Sequence, residues 1–153
     1  MARVVITGGS GFIGSHLAEH LVSRGDEVTV FDAAPLPPDL ACPVRLVGGD
    51  IRDERAVGRA IGERTELVYH LSAVVGVDRY LGAPADVVET NLLGTLNVLR
   101  LARTAGAKVV LASTSEVYGY NPLTPGTRTV TGCSAARRWT AGRTRRARHS
   151  PST

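Results

Sequence analysis

No stretch of this 153-residue sequence approaches the ~18 to 20 consecutive apolar residues that a membrane-spanning helix requires, so a membrane is not an expected partner. Cysteine is scarce: Cys42 and Cys133 form no metal-ligand spacing and no disulfide framework, and no metal site is expected. The opening MARVVITGGSGFIGSH lacks the basic segment, apolar stretch and small-residue cleavage site of a secretory leader, which gives a cytoplasmic expectation. A further absence is regional. From Met1 to Glu116 there are 11 basic and 14 acidic residues, whereas Val117 to Thr153 holds seven arginines and no carboxylate. Folded surfaces mix both signs, so the chain changes character there. What remains suits one folded domain: 43% hydrophobic and 21% charged residues exclude disorder through most of the length.

The first 112 residues alternate β-branched runs with helical patterns. Arg3 to Thr7 is a continuous apolar strand, expected where both faces of a parallel sheet are covered. A helix follows over Phe12 to Arg24, with Phe12, Ile13, Leu17 and Leu21 taken as one side and Gly25 as its stop. Further strands are read at Glu27–Phe31, Val44–Val47, Leu67–Leu71 and Lys108–Ala112, and helices at Asp53–Ile61 and Pro84–Ala105. Asp53 stands at an N-cap, and Pro84 opens its helix where proline is favourable. This βαββαβαβ order predicts an α/β fold with a doubly wound parallel sheet. Pro35-Leu-Pro-Pro38 reads as a connection between strands two and three.

The strongest local signal is Gly8-Gly9-Ser10-Gly11-Phe12-Ile13-Gly14, directly after strand one and opening helix one. In that context Gly8 permits a tight turn, Gly11 lets backbone approach a pyrophosphate, and Gly14 lets the helix pack closely on the strand. The helix N-terminus offers N–H groups and partial positive charge to the phosphates. The spacing is G-x-x-G-x-x-G. Asp32 ends strand two, 18 residues after Gly14, where a carboxylate can accept from a ribose 2′-hydroxyl and repel a 2′-phosphate, favouring NAD over NADP. Asp50 and Ile51, after strand three, could put a carboxylate and an apolar side chain against adenine.

Together TGGSGFIGSHL, Asp32, GDIRD (49–53), HLSA (70–73), NLLGTLNVL (91–99) and STSEVYG (113–119) resemble the extended short-chain dehydrogenase/reductase family, in its NAD-dependent epimerase/dehydratase group. STSEVYG followed by Arg138-Trp139 is most similar to UDP-glucuronate decarboxylases and their relatives. The resemblance implies a Rossmann domain over residues 1–120 with NAD as cofactor. It implies that Phe12, Ile13, Leu71, Ser72 and Ala73 border that cofactor, beside Gly8, Gly11, Gly14, Asp32, Asp50 and Ile51. The implied substrate is a nucleotide sugar whose C4 hydride passes to NAD and later returns, so that a 4-keto sugar can undergo epimerisation, dehydration or decarboxylation. Thr114 falls on the family's Ser/Thr position and Glu116 on the acid/base of its dehydratases and decarboxylases. The family also implies a homodimer through the long helix and the one after strand five.

The pattern then breaks. The family's Tyr-x-x-x-Lys falls, by counting from Trp139, on Ala141 and Arg145. Alanine has no ionisable oxygen to serve as a base, and arginine keeps the charge but differs from lysine in shape and stays protonated. Tyr118 and Tyr120 are assigned no part. The family's remaining strand-helix portion and C-terminal substrate domain are missing from these 153 residues. The expectation is a weakly active or inactive truncated form, with strand five's flank and the long helix uncovered and the chain prone to associate. Residues 121–153 are expected to be an altered basic tail, partly disordered. One alternative is a non-catalytic NAD-binding remnant. Another, a nucleic-acid binder through the arginines of 137–153, is disfavoured because aromatic interleaving and any nucleic-acid fold motif are absent. A frameshift near Trp139 would explain the lost Tyr and Lys, the missing acids and the early stop together; a Tyr-x-x-x-Lys in another reading frame downstream would test it.

Overall fold

The computed structural model describes residues 1–114 and 117. It divides into two units, Met1–Ala112 and Ser113–Thr153. In the first, five strands run β1 (Arg3–Thr7), β2 (Glu27–Asp32), β3 (Arg45–Gly48), β4 (Leu67–His70) and β5 (Lys108–Leu111). Their helices are α1 (Phe12–Ser23), α2 (Glu54–Ala60), α3 (Val77–Gly82) and α4 (Pro84–Ala105). The sheet order is β3-β2-β1-β4-β5, and every pairing is parallel. The doubly wound expectation is met.

Strand composition explains the layering. Successive side chains of a strand point to opposite faces, so a strand covered on both sides must be apolar at every position. Val5, Phe31, Val47 and Val68 enter a core beneath α2 and α4, with Val57, Val98 and Ala102. Val4, Ile6, Val28 and Val30 enter the opposite core with Ala18 and Leu21 of α1. Asp53 caps α2 as expected, its carboxylate accepting the Arg55 and Ala56 N–H groups at 2.9 and 3.3 Å.

Two expectations need correction. The buried stripe of α1 is Gly14, Ala18 and Leu21, not one containing Phe12 and Ile13, which are 80% and 68% exposed. The seat of Gly14 on the preceding turn sets the rotation of the helix, and at 3.6 residues per turn Phe12 then falls on the far side. Its ring instead packs against His16, with centroids 4.7 Å apart. The second correction is α3, a six-residue helix that was not expected. It is too short to carry a helical repeat and begins after Gly76, a residue that reads locally as a breaker.

Candidate functional site

Strand order reverses between β1 and β4, and in open parallel sheets the crevice at the carboxyl ends of the strands on either side of that switch receives ligands. Here the crevice is a cleft of about 450 Å³, within the range of small-molecule sites. Its wall comes from the turn after β1, the end of β2, the turn after β3 and the turn after β4. A smaller hollow of about 370 Å³ lies around the strands' amino-terminal residues Arg3 and Glu27, where charge is mixed. The switch-point cleft is where the fold concentrates its candidate chemistry.

The glycine turn is tightly built. Gly8 has φ +73°, and a Cβ there would stand 2.7 Å from the Ser72 nitrogen. A Cβ on Gly14 would stand 2.4 Å from the Gly8 carbonyl oxygen and 2.5 Å from the Gly9 Cα. Side chains are therefore excluded both where the turn meets the β4 loop and where helix meets turn. Gly9 has a role that spacing did not reveal: a Cβ would collide with the Val30 methyls at 2.7 Å, so the turn lies directly on β2. The first-turn N–H groups of α1, at Phe12, Ile13 and Gly14, lie beyond the helix's own ladder and are free for an anion. No side chain caps them.

Asp32 closes β2 with both oxygens engaged. Its Oδ2 accepts the Ser10 N–H at 3.0 Å, and its Oδ1 accepts the Ala34 N–H at 2.9 Å. Each oxygen keeps a second lone pair, so the carboxylate is held in place yet can still accept ribose hydroxyls. Asp50 lines the cleft. Its carboxylate is gripped by Arg52, with Nε at 3.1 and 3.0 Å, Nη2 at 2.6 Å and the backbone N–H at 2.9 Å. Those hydrogen bonds hold its pKa below the ordinary carboxylate value. Ile51 lines the cleft but is only 6% exposed, because its side chain packs on Gly94 of α4, where a Cβ would meet Ile51 Cγ2 at 2.6 Å.

Of the residues expected to hold a cofactor, Gly8, Gly11, Asp32, Asp50, Ile51, Leu71, Ser72 and Ala73 line this one cleft. Phe12, Ile13 and Gly14 do not line it and face the same turn through backbone. Thr114 belongs to the second unit, where its carbonyl accepts the Val117 N–H at 3.3 Å. Glu116, Ala141, Arg145 and the basic segment from 121 lie outside the described residues. Among the described residues no group of three His, Cys, Asp or Glu is placed to hold a metal ion.

Sequence reasoning missed the residues that hold the cleft's rim. Asn91 clamps Val74 twice, its Oδ1 accepting the Val74 N–H at 2.7 Å and its Nδ2 donating to the Val74 carbonyl at 3.0 Å. Asn97, buried, donates to the Ile51 and Arg52 carbonyls at 3.1 and 2.9 Å. With Gly94 between them, one face of α4 ties down two rim loops. The signal was available as Asn-x-x-Gly-x-x-Asn in an apolar helix, since residues three apart share a face and buried amides need partners.

A parallel sheet of this order, a glycine turn opening α1 and an acid closing β2 define a dinucleotide-binding fold. The sequence profile of the NAD dependent epimerase/dehydratase family matches residues 4–144, and the chain belongs to that family. It is 39% identical over 122 residues to a UDP-N-acetyl-alpha-D-glucosaminuronate decarboxylase of Bacillus cytotoxicus, covering 76% of this chain and 38% of the relative. It is 38% identical over 128 residues to UDP-glucuronic acid decarboxylase 1 of Arabidopsis thaliana, covering 79% and 28%. Among solved structures, the UDP-glucose 4-epimerase of Thermus thermophilus in complex with NAD superposes with a TM-score of 0.73 at 33% identity, over 92% of this chain and 50% of that one. The chain thus spans about a third of the length of the curated relatives it matches. Among the described residues no helix is long and apolar enough to cross a membrane.

Proposed function

We propose that this chain binds NAD in the switch-point cleft and serves nucleotide-sugar chemistry of the epimerase, dehydratase or decarboxylase kind. One observation carries the reading: the Ser10 N–H to Asp32 bond at 3.0 Å joins the diphosphate turn and the ribose acceptor into a single unit. The residues present fit the dinucleotide. Gly8 and Gly11 line the cleft without a Cβ, so backbone can approach the phosphates there, and the α1 N–H groups of Phe12, Ile13 and Gly14 supply donors. Asp32 receives the adenosine ribose hydroxyls and, being anionic, disfavours a 2′-phosphate. Ala33, Ala34 and Gly49 form a wall without long side chains, suited to a flat base, and Leu71, Ser72 and Ala73 border the nicotinamide half.

Bound NAD would supply a two-electron hydride acceptor. The chain's own part is to orient the sugar hydroxyl and move its proton: Thr114 as a hydrogen-bonding partner of that hydroxyl, Glu116 as acid or base at the neighbouring carbon. The likeness to decarboxylases supports the role given to Glu116. A second reading rests on Ala141 and Arg145, which stand where the family pattern has a proton-transferring tyrosine and its lysine. Under it the chain holds NAD with little or no turnover. Incubation with NAD and UDP-glucuronate or dTDP-glucose separates the two, since a product or NADH absorbance arises only from an enzyme.

Self-association through α4 is part of the proposal, supported by the exposure of Val88, Leu92, Leu96 and Leu99 on that helix. A cytoplasmic setting completes it. Nucleic acid has no place in it.

A further inference from the structure

Beside the cleft runs a chain of hydrogen bonds, buried at Thr7–His70 and partly buried elsewhere, whose directions can be deduced. It begins at the Asn91 carbonyl, which can only accept, so the Thr95 hydroxyl donates to it at 2.6 Å. The Thr95 oxygen is then left to accept, and what it meets at 2.9 Å is His70 Nε2, which must carry the ring proton. His70 Nδ1, bare in the neutral ring, accepts the Thr7 hydroxyl at 2.7 Å. The Thr7 oxygen in turn takes the Ser72 N–H at 3.4 Å. Thr7 and His70 are register partners at the ends of β1 and β4, 0% and 3% exposed. Every donor and acceptor of this chain is matched in one protonation state of the imidazole.

Both ends of the chain touch the rim of the cleft. Ser72 lines it, and so does Val74, which the Asn91 side chain clamps. We propose that His70, as the neutral Nε2–H imidazole, is a positioning residue of the dinucleotide site, fixing the loop after β4 through Thr7 at one end and through Thr95 and Asn91 at the other. This inference rests on the dinucleotide reading of the cleft. A second proton would enter at Nδ1, facing a Thr7 oxygen whose hydroxyl proton has no other described acceptor, so Thr7 and Ser72 would have to rearrange. The groups around the ring are neutral: Thr7 from β1, Thr95 and Asn91 from α4, and Leu111 beside it in register on β5. Burial alone pushes its pKa below the ordinary histidine value, consistent with a ring kept neutral.

The test is NAD affinity by calorimetry between pH 8 and pH 5, for the full chain and for His70→Gln, with imidazole ¹⁵N spectra of the same samples. The expected spectrum shows the Nε2–H tautomer at pH 8. Wild-type affinity should hold through neutral pH and fall about three- to tenfold as the spectrum reports protonation of His70. His70→Gln should bind about threefold more weakly at pH 8 and lose that pH dependence. If His70 stays neutral down to pH 5, the pH 8 comparison decides alone. Should His70→Gln fail to fold, Thr95→Val replaces it, with the same loss expected at pH 8. An Nδ1–H tautomer, or affinities that match between variant and wild type at every pH, would overturn the positioning role. Absence of NAD binding by the wild type at any pH would instead overturn the dinucleotide reading on which it rests.

Discussion

The Gly14 Cα hydrogen that faces the Gly8 carbonyl occupies a place no carbon could take, since a Cβ built there would stand 2.4 Å from that oxygen. The obstruction is backbone on both sides and cannot swing away. Gly14→Ala should therefore push α1 off the turn and destabilise the fold by about 1–3 kcal/mol, read as a lower urea midpoint. Gly48→Ala makes the control, because nothing lies within 4 Å of a Cβ at Gly48; it should stay within about 0.5 kcal/mol of wild type.

Asn97 provides a second test of how the rim is held. Asn97→Ala removes both bonds to the Ile51 and Arg52 carbonyls and leaves polar groups of a buried region unpaired, at a cost of about 1–3 kcal/mol. Asn97→Asp should be worse still, because it turns a carboxylate toward two carbonyl oxygens. Equal stability of Asp and Asn at this position, measured by denaturant unfolding, would show that the two bonds do not hold the loop.

For Asp32→Asn the expectation concerns selectivity. An amide can satisfy only one of the Ser10 and Ala34 N–H groups as an acceptor, and it no longer repels a phosphate. NAD binding should weaken about tenfold while NADP loses less, so the dissociation constant for NADP divided by that for NAD falls. An unchanged ratio would remove Asp32 from the ribose site.

Stability should also depend on pH in a defined direction. Burial lowers the pKa of His70 in the folded state, so between that value and the unfolded value near 6.5 the unfolded chain binds more protons. The stabilisation is complete above pH 6.5 and is lost as pH falls through the folded pKa. His70→Gln should lack this component, so a free-energy difference between variant and wild type that is constant from pH 8 to pH 5 would contradict it.

Much of this was legible in the sequence, for physical reasons. β1 reads as a strand buried on both faces because it is apolar at consecutive positions, and α4 spans Pro84–Ala105 as the proline and helical pattern indicate. The glycine turn and Asp32 could be placed because backbone geometry demands particular residue types at particular spacings. What was not legible is what depends on three-dimensional partners. Nothing in the order of residues tells that Phe12 and Ile13 face away from the core, since that rotation is set by the contact of Gly14 with Gly8 and Gly9. Likewise the order of residues does not tell that Ile51, while lining the cleft, packs on Gly94, 43 positions later. The Thr7–His70–Thr95 chain joins β1, β4 and α4, and its pairing exists only once the register of the sheet is fixed.

Titration of the folded 153-residue protein with NAD in a calorimeter bears most directly on the cleft. Saturable one-site binding in the micromolar range, weakened by Asp32→Asn and stronger for NAD than for NADP, is the predicted result. A folded protein that gives no binding heat with NAD at millimolar concentration would contradict it.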